Sequence, residues 1–387
     1  MKKILSLYYR PKPGGFCKRL SMAYEAFAEN GWDIHYLSIE KFPVSREHIH
    51  FHRIPMLFKK KENLLFWLNF FLVAFPWLVY FSLRLSADVI FVFGEVYAFL
   101  SFPAKLLRGN KIVLMTRGES IESLKETHAG IRGSLLRLVY HAVSFLAFKV
   151  SDGLIFNSPS LSQKMKQKYR LQRKKIIVLP NDIPVPVVRP RAEALTKIRQ
   201  EYPIGENPFI LISVGRLHPG KNYEFLLKVF EKLKASLKGD DIFLFIAGDD
   251  PLTGEKERAR LRSLIELRGL DHVFLTGWRD DLYFFYSAAD VFITSSKYEG
   301  APNSLLEALG YGLPCFGSDV GGIRDILNND LLVFSLDEAG AEKAADLIDK
   351  MHHDIMFVSR VKSICLEVRR RFTFDWKREL VTRVESC

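Results

Sequence analysis

The chain has 387 residues, 48% hydrophobic and 26% charged, which gives room for two ordinary cores and excludes a disordered or fibrous protein. Its net charge of +12 draws it toward anions: nucleic acid, acidic lipid headgroups or phosphorylated small molecules. No zinc-finger spacing, aromatic RNA motif or basic heptad helix accompanies the clusters Lys59–Lys61, Arg173–Lys175 and Arg369–Arg371, so nucleic acid is the weakest of the three.

From the N-terminus, Met1–Leu7 has the charged start of a signal peptide. Its apolar run breaks at Arg10-Pro11-Lys12-Pro13 without a small-residue cleavage site, and it reads as a first strand, Ile4–Tyr8. A Gly/Pro loop (Pro11–Phe16), a helix (Arg19–Asn30, stopped by Gly31) and a strand (Ile34–Leu37) follow. Further strands are expected at Asp88–Phe93, Lys111–Met115, Gly153–Phe156 and Ile176–Leu179, separated by helical stretches. That alternation indicates a parallel sheet covered on both faces.

Many of the 31 phenylalanines lie in this first half, which predicts a large aromatic core or a greasy surface. Leu64 to Leu83 is uncharged, interrupted by Asn69, Pro76 and Ser82 and flanked by Lys59–Lys61 and Arg84. It is long enough to cross a bilayer. Crossing would put the first strands and the later ones on opposite sides and split one sheet. The expectation is therefore a buried helix pair broken near Pro76, a membrane-surface face, or both.

Ile183–Pro190 carries Pro184, Pro186 and Pro190 and predicts a stiff extended linker. Beyond it the alternation restarts, with strands at Phe209–Val214, Ile242–Ala247, Val273–Thr276, Val291–Thr294, Leu313–Gly317 and Leu331–Phe334. Two α/β domains follow, residues 1–185 and 191–365. The four cysteines, Cys17, Cys315, Cys365 and Cys387, form no CxxC pair and have no His at metal-ligand spacing. A reducing, cytosolic compartment without disulfides or zinc fits them.

The strongest chemical signal is Tyr298-Glu299-Gly300-Ala301-Pro302-Asn303-Ser304-Leu305-Leu306-Glu307, running on into Ala308-Leu309-Gly310-Tyr311-Gly312-Leu313-Pro314. It follows a strand and opens a helix. Gly300 allows close backbone approach, and the free amides near Asn303 and Ser304 face an incoming phosphate, helped by the helix dipole. Glu299 can reach sugar hydroxyls, and Glu307, inside the helix, ribose hydroxyls. A second element, Ser213-Val214-Gly215-Arg216-Leu217-His218-Pro219-Gly220-Lys221-Asn222, puts a guanidinium fork and a compact ammonium on the loop after a strand. Together they can neutralise a leaving nucleoside diphosphate.

With Asp319-Val320-Gly321-Gly322-Ile323-Arg324-Asp325-Ile326, these motifs resemble the retaining glycosyltransferases of family 4, over nearly the whole chain and least in residues 40–110. The resemblance implies the GT-B fold: two doubly wound Rossmann-like domains facing across a cleft. The N-terminal one would bind acceptor, and residues 366–387 would pack back on it; the C-terminal one would bind donor. It implies Arg216 and Lys221 on the donor β-phosphate, Gly14 and Gly15 of the first loop approaching the donor phosphates, and Trp278 after Gly277 beside the base. One departure stands out. Where many members carry a histidine after an N-domain strand, this chain reads Thr116-Arg117-Gly118-Glu119, so Arg117 or Glu119 is the expected substitute; His128 and His141 do not match that position.

The implied activity is transfer of a hexose or N-acetylhexosamine, with retention, from a nucleotide sugar, UDP favoured. No metal or other cofactor is expected, and no Asp-x-Asp motif stands at the donor loop. The implied acceptor is a polyprenyl-linked saccharide of cell-surface polysaccharide or lipopolysaccharide synthesis, met by a peripheral protein at the cytoplasmic face of an anionic inner membrane. A nucleotide-sugar epimerase of the same architecture, a nucleotide-sugar-binding non-enzyme and a basic RNA-binding protein stand as the alternatives.

Overall fold

The computed structural model describes residues 1–12, 15–57, 64–118, 130–237, 241–250 and 254–387. Gly14, the Lys59–Lys61 cluster, Glu119 and His128 lie outside them. The chain forms two compact units, residues 1–180 with 375–387 and residues 181–374.

The first unit is built on a seven-stranded, all-parallel sheet: β1 (Lys3–Leu7), β2 (Asp33–Ser38), β3 (Ile49–Arg53), β4 (Val89–Phe93), β5 (Lys111–Thr116), β6 (Gly153–Phe156) and β7 (Lys175–Val178), in the order β3-β2-β1-β4-β5-β6-β7. Such strands are buried on both faces and read as continuous apolar runs, as Val89-Ile90-Phe91-Val92-Phe93 does. Helix α1 (Gly15–Glu29) covers one face, stacking Tyr24 on Tyr36 and setting Phe27 against Phe91. The other face, with Leu5, Leu7, Ile90 and Val92, packs under α2 (Leu64–Leu85), α3 (Glu95–Leu100), α4 (Phe102–Arg108) and α5 (Gly130–Val150). A shorter helix, α6 (Pro159–Lys168), joins β6 to β7.

The aromatic segment is one continuous helix and not the expected pair. Pro76 removes a single hydrogen bond, and the buried stripe Phe66, Phe70, Ala74, Leu78 and Phe81 keeps helical phase on both sides of it. Packed along the sheet, α2 is a layer of the domain. The opposite side of α2 is greasy as well, with Leu65, Leu68, Leu72, Phe75 and Leu83 exposed, and α4 and α5 also expose Leu106, Leu107, Leu135, Leu138 and Val139. By length and composition, two helical stretches, Leu65–Leu85 and Gly133–Val150, could cross a membrane.

The second unit repeats the topology with six parallel strands, β8 (Phe209–Val214), β9 (Ile242–Ala247), β10 (Val273–Gly277), β11 (Val291–Thr294), β12 (Cys315–Ser318) and β13 (Val333–Phe334), ordered β10-β9-β8-β11-β12-β13. Its helices are α7 (Arg191–Arg199), α8 (Tyr223–Ser236), α9 (Gly254–Leu267), α10 (Leu282–Ala288), α11 (Asn303–Gly310), α12 (Gly321–Leu327), α13 (Glu338–His353) and α14 (Ile355–Arg371). In both sheets the strand order reverses beside the first strand. At such switch points the loops leaving the carboxyl ends of the strands diverge and open a crevice.

Two boundaries differ from expectation. The proline-rich segment belongs to the second unit, tied to it by Ile183 N–H donating to Phe372 O (2.9 Å), Tyr311 Oη to Val187 O (3.1 Å) and Arg189 N–H to Ser287 Oγ (3.1 Å). The return to the first unit comes at Asp375 instead of residue 366, because α14 runs unbroken to Arg371 against α11, α12 and α13. The last helix, α15 (Trp376–Glu385), lies on α1. Trp376 is buried beneath the Arg19 guanidinium, and Lys377 bridges Glu25 and Glu29, each at 2.9 Å. Trp376→Ala is expected to cost about 3–5 kcal/mol of stability, read as a lowered urea midpoint for the first unit.

Candidate functional site

At the switch point of the second sheet, β8 ends in Gly215-Arg216 and β11 leads into Ser295-Ser296 and on to Glu299. The β8 loop is rigidly built. His218 Nδ1 accepts from Gly220 N–H (3.0 Å) and caps a single 3₁₀ turn, Pro219–Lys221; Asn222, at φ 54°, then turns the chain into α8. The β11 loop is stapled to it: Lys297 N–H donates to Gly220 O (2.8 Å), and Ser295 Oγ to Lys221 O (3.0 Å) and Asn222 O (2.9 Å).

This frame brings Lys221 Nζ to Glu299 Oε1 at 2.5 Å, with the two side chains only 18% and 19% exposed. Ser296 Oγ donates to the same oxygen (3.1 Å), so Oε2 has no hydrogen-bond partner among the described residues. Lys221 reaches this position because residue 215 is glycine: a Cβ there would lie 2.8 Å from Lys221 Cε and 3.0 Å from Tyr223 Oη. Burial, and secondarily the Glu299 charge, push the Tyr223 hydroxyl far above its ordinary range, so it stays protonated beside the pair. Arg216 points outward, 64% exposed, while its NH1 is anchored at 3.2 Å to Asp250, a carboxylate only 2% exposed. Most of the guanidinium fork is therefore presented to solvent.

Behind Glu299 the backbone is packed tightly by the next loop. Gly322 N–H donates to Glu299 O (2.9 Å), a Cβ on Gly322 would lie 1.6 Å from Gly300 O, and one on Gly321, at φ 38°, 2.6 Å from Glu299 O. Pro302 precedes the first turn of α11, and Asn181 Nδ2 braces that turn by donating to Asn303 Oδ1 (2.8 Å) and Ala301 O (3.4 Å). Ser304 follows in the same turn, its carbonyl accepting from Tyr286 Oη (3.4 Å). Glu307 is one turn further, its Oε2 accepting from Tyr286 Oη (3.1 Å). Trp278 stands exposed after β10, its Nε1–H donating to Asp280 (3.1 Å). Glu299 and Lys221 thus converge directly, Arg216 shares their loop, and Glu307 and Trp278 sit farther along the same rim of strand ends.

In the first unit, Arg117 follows β5 and its NH1 donates to Gly15 O (3.0 Å), joining two of the expected residues. Burial, with Arg19 nearby, pushes the Arg117 guanidinium down to about 9. Beside it Glu95 is fully buried at the end of β4, accepting from Tyr140 Oη (2.9 Å) and Thr116 Oγ1 (3.3 Å), and burial raises its carboxyl above the usual range. Glu95, Asp250, Tyr223 and Asn181 escaped the sequence reading. Gly94-Glu95 and Gly248-Asp249-Asp250, each just past a strand end, are the signals that could have flagged two of them.

Comparison with known proteins divides the chain in the same way. Residues 14–185 match the model of Glycosyltransferase Family 4, and residues 195–362 that of Glycosyl transferases group 1. The putative glycosyltransferase EpsF of Bacillus subtilis is 35% identical over 150 residues, 38% of this chain and 37% of that protein. An Escherichia coli protein, UDP-Gal:alpha-D-GlcNAc-diphosphoundecaprenol alpha-1,3-galactosyltransferase, is 26% identical over 246 residues, 63% of this chain and 60% of that protein. The chain thus spans only 37% to 60% of the length of these curated relatives. Sucrose-phosphate synthase from Thermosynechococcus elongatus shares the fold with a TM-score of 0.79 over 100% of this chain and 98% of that one, at 17% identity.

The glycine contacts yield a direct test. Gly322→Ala forces backbone against backbone and is expected to lower stability by about 1–3 kcal/mol in chemical denaturation. Gly118→Ala, with nothing within 4 Å of the added methyl, is expected to leave the midpoint unchanged.

Proposed function

Residues 14–185 match the family 4 glycosyltransferase model and residues 195–362 the group 1 model, and on that likeness we propose that the chain is a glycosyltransferase moving a hexose or N-acetylhexosamine from a nucleoside-diphosphate sugar, UDP favoured, to a saccharide acceptor with retention at the anomeric carbon. The observation that carries the reading is the Lys221–Glu299 pair beside Arg216 at the switch point of the second sheet. An ammonium has three donors, so Lys221 can keep Glu299 and still take a phosphate oxygen. Arg216 offers its outward fork to the diphosphate, and the first-turn amides of α11 add further positive charge. These cations and amides supply the charge a departing diphosphate needs, and the transfer step is proposed to run without a metal.

In this reading the bond from the anomeric carbon to the diphosphate oxygen breaks and the acceptor oxygen bonds on the same face. The acceptor proton passes to the departing phosphate. Glu299 is not a nucleophile; its Oε2 positions the sugar through hydroxyls. Gly215, Gly300, Ala301, Pro302, Asn303 and Ser304 would line the phosphates, Trp278 the base and Glu307 the ribose. Arg117, held against Gly15 with Gly14 adjoining, would serve the N-terminal side of the reaction.

The acceptor is proposed to be lipid-linked and met at the cytoplasmic face of an anionic membrane, in polysaccharide or lipopolysaccharide synthesis. Two observations support this. The Escherichia coli relative is named for a diphosphoundecaprenol substrate. The greasy faces of α2, α4 and α5 carry no Asp or Glu, and those helices bear Arg84, Lys105, Arg108, Arg137 and Lys149, the charge pattern of an interfacial surface.

Incubation with a panel of labelled nucleotide sugars and acceptor extracts tests the reading by release of diphosphate and formation of a glycosylated product. Arg216→Ala and Glu299→Gln are each expected to lower transfer by about 10²–10³-fold while both proteins remain folded by circular dichroism. Binding without turnover would favour a sensor, interconversion of free nucleotide sugars an epimerase, and unchanged turnover in Glu299→Gln would remove its assigned role. For the membrane, wild-type protein is expected to sediment with phosphatidylglycerol vesicles, and a Leu72→Glu, Leu138→Glu double variant to stay in solution. Equal recovery of the two proteins would overturn that part.

A further inference from the structure

On the first sheet, Asp33 and His35 of β2 and His50 and His52 of β3 point to the same face, because residues two apart in a strand share a side and His35 pairs in register with His50. Asp33 Oδ1 accepts from His50 Nε2 at 2.8 Å and Asp33 Oδ2 from His35 Nε2 at 3.2 Å; His35 Nδ1 meets His52 Nε2 at 2.9 Å. The rings of His35 and His50 stack at 4.6 Å, and His52 lies on Phe81 near the end of α2, centroids 4.2 Å apart. One ligand atom each from Asp33, His35 and His50 lies within 4.8 Å of the others; Asp33 and His35 are buried and His50 is exposed.

We propose that Asp33, His35 and His50 form a binding site for one divalent transition-metal ion, zinc-like in preference, at the edge strand of the first sheet. Zn²⁺ takes His nitrogen and carboxylate oxygen at about 2.0–2.2 Å in a tetrahedron, which sets ligand atoms roughly 3.3 Å apart. The hydrogen bonds from Asp33 to the two rings are already near that separation, so an ion can replace the shared protons with small side-chain movement. The donor set, two imidazoles and a carboxylate, suits zinc better than magnesium or calcium. His50, facing solvent, gives the entry path and leaves a fourth position for water.

His52 supplies what a ligating histidine needs behind it. With the ion on Nε2, His35 carries its proton on Nδ1 and donates it to His52 Nε2, the outer partner that fixes ring orientation. His50 likewise shifts its proton to Nδ1, and His52, giving up its Nε2 proton, holds one on Nδ1. Lys3 and Arg84 are the cations whose fields reach this cluster, at His35 and His52 respectively. They temper affinity without blocking the open side at His50.

Within the first unit, the site is separate from the residues proposed to take part in transfer. Asp33 is the first residue of β2, near the amino ends of the strands, whereas Gly15 and Arg117 lie beyond the carboxyl ends of β1 and β5. Because its ligands come from two neighbouring strands, a bound ion cross-links β3, the unpaired edge, to β2. The consequence is stabilisation of the sheet edge, growing with free metal as binding to the native state demands.

Titration of the metal-free full chain with Zn²⁺ alone, by calorimetry and by thermal unfolding, tests the assignment, with Co²⁺ as the spectroscopic probe. One equivalent is expected to bind, to raise the unfolding midpoint, and to give the intense visible bands of tetrahedral Co²⁺ without the near-ultraviolet thiolate band that cysteine ligation brings. His50→Ala, at an exposed position, is expected to fold normally and bind at least tenfold more weakly. His52→Phe, which keeps the ring packing on Phe81, is expected to weaken binding about 10–100-fold while the visible bands persist. Failure of the wild-type chain to bind, a thiolate band, or unchanged affinity in His50→Ala would each overturn the proposal. None of these outcomes bears on sugar transfer, which is read separately.

Discussion

A nearly desolvated ion pair organises the second unit's rim. Taking an ammonium and a carboxylate out of water costs about as much as their attraction returns, so the Lys221–Glu299 pair is poor evidence of stability and good evidence of positioning. It persists because the surrounding backbone leaves it no alternative. The two loops are stitched by Lys297 and Ser295, the carboxylate is held by Ser296, and Gly215 leaves the channel through which the lysine arrives. Gly321 and Gly322 seal the other side of Glu299 with backbone where any side chain would collide. The chemistry of the rim is therefore decided by absences of Cβ as much as by charged groups.

The two units reach similar strand orders with different uses of the same rim. In the second, the ends of β8 and β11 set one outward charge beside a largely buried pair: Arg216 faces solvent on a buried Asp250, and Lys221, held by Glu299, keeps spare donors. In the first, the groups at the ends of β4 and β5 look inward, Glu95 buried and Arg117 half-buried. Arg117 spends a bond on the Gly15 carbonyl, and Glu95 is enclosed by Tyr140 and Thr116. An arginine so enclosed fixes the start of α1 before it can do anything else, which gives a structural reason for a long, multi-donor side chain at that position.

Strand positions in both halves were legible because buried parallel strands are apolar throughout, as in Ile242–Ala247 and Gly153–Phe156. β3 was missed because Ile49-His50-Phe51-His52-Arg53 alternates apolar residues with histidines and carries no continuous apolar run. The break expected at Pro76 failed for a different reason: a proline argues locally, whereas the stripe from Phe66 to Phe81 is a tertiary constraint and prevails. Glu299, Arg216 and Lys221 could be picked out by their motif. Of the partners that hold them, Asp250 carries only the weak signal of its place past a strand end, and Ser296 carries none, since it meets Glu299 only after the sheet has formed.

The greasy layer and the histidine cluster follow from one geometric fact about α2. Its phenylalanine stripe covers the strand face formed by Leu5, Leu7, Ile90 and Val92, and it reaches His52 through Phe81. The amino ends of β2 and β3 lie past that cover, so their inward side chains sit half in water and half against protein. Apolar residues there would extend an already large exposed apolar surface, and an unpaired carboxylate would be penalised by burial. Asp33 with three histidines resolves both demands, since imidazole rings stack like aromatics yet satisfy a carboxylate. A packing solution of that composition also presents nitrogen and oxygen lone pairs toward a common point, so the requirements of an uncovered sheet corner and those of a metal ligand set coincide.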